Sequence, residues 1–302
     1  MMAAELRNVT RLEQRVEVAD AIVLGKAAAV SAASEGLPHY VRFELRPLTL
    51  VAGAAVPAKQ VITSFFRDQG THWDVGAMLE EELGATYRGN AGWKMHRRVS
   101  DFWSLPTAKQ EGAFLLWKRP SGWVVGDIYA GREASVAVAA LARMVRSGQW
   151  DRQAPILFSE SAPEEVQSAA VRWIAENGWR TPISAASLEK ALRGLTTARA
   201  ASLLDEAIED LGSKLMRGPP ESAGFASRVG FLGELLTLAP PLSGQAIEKV
   251  DGFTNNLMNW IRGGLYPDLV GKFLPGVKRQ HAIATHKDAR REMEKILERF
   301  RE

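Results

Sequence analysis

Apolar and polar positions follow two different rhythms in this chain. In the first part the apolar residues alternate or form short unbroken runs, and from Ser161 onward they recur every three or four positions. The clearest short run is Gly112 to Ile128, GAFLLWKRPSGWVVGDI, where two apolar stretches flank Arg119-Pro120-Ser121-Gly122. That arrangement predicts a β-hairpin. Ala113, Leu115 and Trp117 fall on one face, Phe114 and Leu116 on the other, and Trp123 to Val125 answer on the return strand, so both faces are expected to be buried. Three further stretches read as strands. Arg15 to Val30 alternates Val16 and Val18 with charges before the run Ala21 to Leu24, and Gly25 offers a break. His39 to Leu50 sets Val41, Phe43 and Leu45 against Arg42, Glu44 and Arg46, with Pro47 marking an edge or a bulge. Gln60 to Phe66 is the third. Five strands with no helix of crossover length between them predict an antiparallel sheet closed or half closed into a small, OB-like β-barrel, with the insertion 67–110 leaving from one rim.

Arg132 to Gly148 places Val136, Ala139, Ala140 and Met144 at helical spacing and predicts a helix leaving the barrel as a bridge, with the domain boundary at Gln149 to Pro155. Helical stripes then follow one another. Ser161 and Glu164 form a capping box before Val166, Ala170, Trp173 and Ile174. A shorter helix runs from Ser184 to Arg193, with Leu188, Ala191 and Leu192 inward. Thr196 or Thr197 caps a long one that carries Ala200, Leu204, Ala207, Ile208, Leu211 and Leu215 on one face and ends at Gly218-Pro219-Pro220. The stripe Phe225, Val229, Leu232, Leu235 and Leu236 stops at Pro240-Pro241, and that from Ala246 to Ile261 stops at Gly263-Gly264. Pro275-Gly276 marks a further break, and Thr285 with Asp288 caps a final helix that turns Ala289, Met293, Ile296, Leu297 and Phe300 inward. The expected fold class is α+β: a β-barrel domain over 1–150, with the insertion 67–110 and an exit helix, then an all-α helical array or bundle over 151–302.

Composition adjusts this picture only slightly. The 302 residues suit two domains, and 46% hydrophobic with 24% charged residues is ordinary for a globular protein. Thirty-eight basic against 35 acidic residues leave a net charge of +3, so any binding charge is local. The chain contains no cysteine, which excludes disulfides, thiolate metal sites and a cysteine nucleophile. No long apolar run predicts a membrane span, and the N-terminal residues lack the pattern of a secretory signal. A cytoplasmic protein is expected, or an exported one from which a signal segment has been removed.

Candidate chemistry is sparse. None of the five histidines, His39, His72, His96, His281 and His286, stands three or four residues from another, and H-E-x-x-H, G-x-S-x-G and the glycine-rich phosphate loops do not occur. No catalytic residue, metal ligand or cofactor is therefore assigned, although a dispersed hydrolytic site near His72 and Asp74 stays open. The insertion carries the most pointed pattern. Tyr87, Arg88, Trp93, Lys94, Arg97, Arg98 and Trp103 interleave aromatic and cationic side chains, the composition that stacks single-stranded bases at about 1–3 kcal/mol each while neutralising phosphates. Packing of those aromatics onto the barrel accounts for the same residues, with the glutamates Glu80, Glu81 and Glu82 damping the positive field. Near the C-terminus Arg291, Glu292, Glu294 and Lys295 read as a salt-laced solvent face.

The stretches ADAIVLGKAAAV, VRFELRPLTL and GAFLLWKRPSGWVVG, within the first 130 residues or so, resemble a small β-barrel domain of uncharacterised bacterial proteins, in which a strand of the first type opens the barrel and one of the third type closes it. The insertion 67–110 departs from the short connection of that pattern. The paired helices of the second half resemble HEAT-type helical hairpins, without a repeat of fixed period. Together these readings lead to a non-catalytic binding or scaffolding protein that engages a protein partner. The alternative is single-stranded nucleic-acid binding through residues 87–103, and the hydrolase comes third.

Overall fold

The computed structural model describes residues 11–31, 40–58, 60–65, 111–119, 122–178, 183–218, 222 and 224–301. Contacts divide the chain into two units, Met1–Gln149 and Trp150–Glu302. The class is α+β, a curled sheet followed by helices.

Among its described residues the first unit holds helix α1 (Leu12–Val18), strands β1 (Ala21–Ser31), β2 (Tyr40–Gly53), β3 (Gln60–Phe65), β4 (Glu111–Arg119) and β5 (Gly122–Ala130), and then helix α2 (Arg132–Ser147). The strand expected from Arg15 begins only at Ala21, because Leu12, Val16 and Ala19 are buried together at helical spacing while Val18 is exposed. An alternation of two valines with charges was too short to tell period two from period four. The sheet order is β1-β2-β3-β5-β4, closed by β4 returning to β1. All pairings are antiparallel except β3 with β5, which is parallel and short: Ile62 opposite Trp123 and Thr63 opposite Val124. Pro47 stands at the irregularity its missing N–H predicts, since Leu24 pairs with Thr49 and Gly25 with Pro47, leaving Leu48 as the extra residue of a bulge.

The hairpin β4–β5 is buried on both faces, as its pattern requires. Phe114, Leu116, Trp123 and Val125 join Ala21, Val23, Ala27 and Leu45 in the barrel core. Ala113 and Leu115 alternate with them and are equally buried. Helix α2 packs against β4 and β1 and against α1, contributing the buried Val138, Leu141 and Ala142. It therefore belongs to the first unit and does not leave it as a bridge. Val136, expected inward, is exposed, and the buried arc runs through Ala139, Ala140 and Met144.

The second unit holds eight helices among its described residues: α3 (Trp150–Leu157), α4 (Glu164–Asn177), α5 (Ala185–Leu192), α6 (Thr197–Arg217), α7 (Phe225–Leu238), α8 (Gly244–Arg262), α9 (Leu269–Ile283) and α10 (Lys287–Arg299). They alternate between two rows. Helices α4, α6, α8 and α10 pack one on the next, and α5, α7 and α9 do the same, with α6 against α7 and α9 against α10 joining the rows. The boundary stretch from Gln149 includes a helix of its own, α3, whose Trp150 is buried with its ring edge-on to Phe158 at 6.0 Å.

Of the three caps expected, the one at Thr196 holds and the other two fail. Ser184, Thr196 and Ser243 each accept a hydrogen bond from the N–H three residues on. Helix α4 starts after Pro163, and Ser161 pairs with Ser159 Oγ at 3.2 Å instead of capping. Helix α10 has His286, not Thr285, at its N-cap, without a side-chain bond. Helix α9 also runs straight through Pro275-Gly276, expected as a break. The ring of Pro275 is exposed, whereas Gly276 is buried against α7, where a Cβ would lie 2.5 Å from Gly233 O and 2.6 Å from Leu236 Cβ. Tertiary contact there outweighs the backbone bond that proline removes.

Candidate functional site

A cleft of about 510 Å³ lies in the second unit between α6, the α7–α8 turn and the α9–α10 turn. Its walls follow from how those turns are made. Pro240-Pro241 ends α7, and the carbonyls left without helical partners are satisfied from α9: Gln280 Nε2 donates to Leu236 O at 2.9 Å and to Ala239 O at 3.0 Å, and Arg279 donates to Ala239 O at 2.6 Å. On the other side of the turn the Ser243 N–H donates to Asp205 Oδ1 at 3.0 Å, tying the start of α8 to α6. Arg290 donates to Ala284 O at 3.0 Å and fixes the α9–α10 turn.

The lining is mostly apolar, with Ala201, Pro241, Leu242, Ile247, Ala289 and Met293 among its residues. Its polar members differ in burial. Gln280 is only 2% exposed, Asp205 is half-buried, and Ser202, Thr285 and His286 are exposed. Because two carbonyls fix the amide nitrogen of Gln280, its oxygen points the other way and accepts no hydrogen bond among the described residues. Asp205 and His286 both line the cleft, yet neither an ion pair nor a hydrogen bond joins them. The histidine–carboxylate relay that acid–base chemistry needs is thus not assembled there. What the cleft offers is hydrogen-bond acceptors set in an apolar wall.

Sequence reasoning missed this site. Its signal is Gln280 itself, which continues the stripe of Phe273 and Val277 on α9, and Ala284 at its C-cap, as a polar residue in an apolar position. The residues assigned to nucleic-acid binding, Tyr87, Arg88, Trp93, Lys94, Arg97, Arg98 and Trp103, lie outside the described residues, as do His39, His72, Asp74 and His96. Of the acidic residues on α6, Glu206 holds Arg172 at 2.6 Å, and Asp210 is buried with Lys214 at 3.7 Å. The charged face of α10 behaves as expected, with Lys295 and Glu292 paired at 2.6 Å and half exposed.

A second polar constellation lies in the first unit. Arg15 and Asp127 stand 3.1 Å apart, both almost fully buried, and Arg15 also donates to Tyr129 Oη at 3.1 Å. Arg146 on α2 donates to Val16 O at 2.8 Å and to Ala19 O, closing the C-terminus of α1. Burial pushes its pKa below the usual arginine value, and the nearby Asp20 and Glu17 pull it partly back. These bonds join α1 to the barrel and to α2, which is a structural task.

Among the described residues no group of three or more His, Asp or Glu is placed to hold a metal ion, and no helix is long and apolar enough to cross a membrane. No family model, curated protein or solved structure matches this chain.

Proposed function

We propose that the chain is a non-catalytic binding protein whose helical unit engages a protein partner. The observation that carries this reading is the two-row alternation of α4 to α10, in which each helix packs on the one two places along the chain. An array built that way exposes a continuous face on each row, the kind of surface helical-repeat proteins use for recognition. Its resemblance to HEAT-type hairpins is supported by spacing as well as packing: α5, α7 and α9 begin at 185, 225 and 269, close to the repeat of about 40–47 residues in such arrays. The test is cross-linking with mass spectrometry, followed by reconstitution of the purified pair. Saturable binding with cross-links on α4 to α10 is expected. A reconstituted complex whose cross-links fall wholly outside residues 164–299 overturns the reading.

The strand order of the barrel favours a second reading. The order β1-β2-β3-β5-β4 with a parallel β3–β5 pair supports an OB-like identity, and OB barrels bind oligonucleotides among other ligands. On this reading residues 87–103 contact single strands. Fluorescence anisotropy with labelled oligonucleotides at two salt concentrations decides it: binding that weakens steeply with salt and is lost in the double variant Trp93→Ala/Arg97→Ala is expected. No binding at low salt removes the reading.

A further inference from the structure

We infer that the cleft between α6 and the two turns receives an arginine side chain of a partner polypeptide, an assignment that rests on the protein-binding reading above. Three features of the lining converge on this chemistry. The first is Gln280, a largely buried residue whose amide hydrogens are committed to Leu236 O and Ala239 O, leaving its oxygen free to accept from an occupant of the cleft it lines.

The second is Asp205. One carboxylate oxygen accepts the Ser243 N–H, and the other takes no hydrogen bond among the described residues. Asp205 is the one acidic side chain in the described lining, and no lysine or arginine lines the cleft to neutralise it. The neighbouring Arg279 and Arg290 are turned to the carbonyls of Ala239 and Ala284. The third is the apolar part of the lining, where Ala201, Pro241, Ile247 and Met293 offer methyl, methylene and thioether surface.

An occupant must therefore carry an apolar stem and a cationic head with several N–H donors. Arginine has both. Its three methylenes suit the wall, and its planar fork of five donors can serve a carboxylate and an amide oxygen together. Lysine has a comparable stem, but its ammonium is more strongly hydrated and gives up more on entering a half-buried site.

The test is an NMR titration of the full-length chain with three small probes: N-acetyl-arginine-N′-methylamide and the corresponding lysine and norleucine compounds. The arginine probe is expected to bind saturably, about tenfold or more tighter than the norleucine probe, which shares the stem without the charge. Asp205→Asn keeps an oxygen for the Ser243 N–H and is expected to weaken arginine binding about tenfold without changing the fold. Ala289→Trp, which fills the cleft, is expected to abolish it. Equal binding of arginine and norleucine, or wild-type affinity in Asp205→Asn, overturns the inference whether or not Ala289→Trp folds. A partner that still binds the array in Ala289→Trp, with no binding of the arginine probe to the wild type, defeats the cleft assignment and leaves the protein-binding reading standing. The converse, probe binding lost in Asp205→Asn while the reconstituted partner makes no contact with the array, upholds the cleft and defeats that reading.

Discussion

Arg15 and Asp127 show what a single ion pair does when water is nearly absent. At 3.1 Å and almost fully buried, each charge depends on the other to offset the loss of its hydration. Removing one partner strands the second, so Asp127→Ala is expected to destabilise the first unit by about 3–5 kcal/mol in urea denaturation. The double variant Arg15→Met/Asp127→Leu removes both charges and is expected to recover most of that loss; a double variant as unstable as Asp127→Ala would show that the pair is favourable in its own right. The position of Asp127 was not legible in the sequence. GWVVGDI announces a buried strand, but the partner of its carboxylate lies on α1, and no local pattern reaches that far along the chain. Gln280 is the opposite case: its place in an apolar stripe was visible, and only the carbonyls it clamps, on Leu236 and Ala239, depend on the fold.

Among the elements, the crossing of α7 and α9 is the most exacting contact. A Cβ at Gly233 would run into the carbonyl oxygen of Lys272, and one at Gly276 would press on Gly233 O. Backbone against backbone leaves no side chain to give way, so Gly233→Ala is expected to cost about 1–3 kcal/mol, measured as a lowered thermal midpoint, although alanine favours helices. An unchanged or raised midpoint would mean that the two helices can move apart freely. Elements with strong periodicity were legible: the hairpin β4–β5, the stripe of α6 and the cap at Thr196 all appear where the pattern places them. Where a local signal competes with tertiary contact it misleads. Pro275 reads as a break and sits inside α9; Val16 and Val18 read as a strand, and the first of them anchors a helix. The α10 cap fails for a milder reason, since Thr285 and His286 are adjacent and helix starts are rarely specified to a single residue.

For the molecule as a whole, the division after Gln149 implies that residues 150–302 carry a core of their own. That fragment is expected to give a helical circular-dichroism spectrum and a single cooperative melt. A fragment without a cooperative transition would show that the helices need the first unit to fold. The packing of the rows bears on the order of events during synthesis. In the helical unit most contacts join elements one or two places apart, so structure can grow as the chain is made. In the barrel, Ala21 has no β4 partner until Leu116 has been synthesised, and among the described strands only β2 pairs with β1 before then. The barrel therefore has the longer wait to close, and for that interval the edge of β1 that will pair with Phe114 and Leu116 stands open to any other strand that comes by.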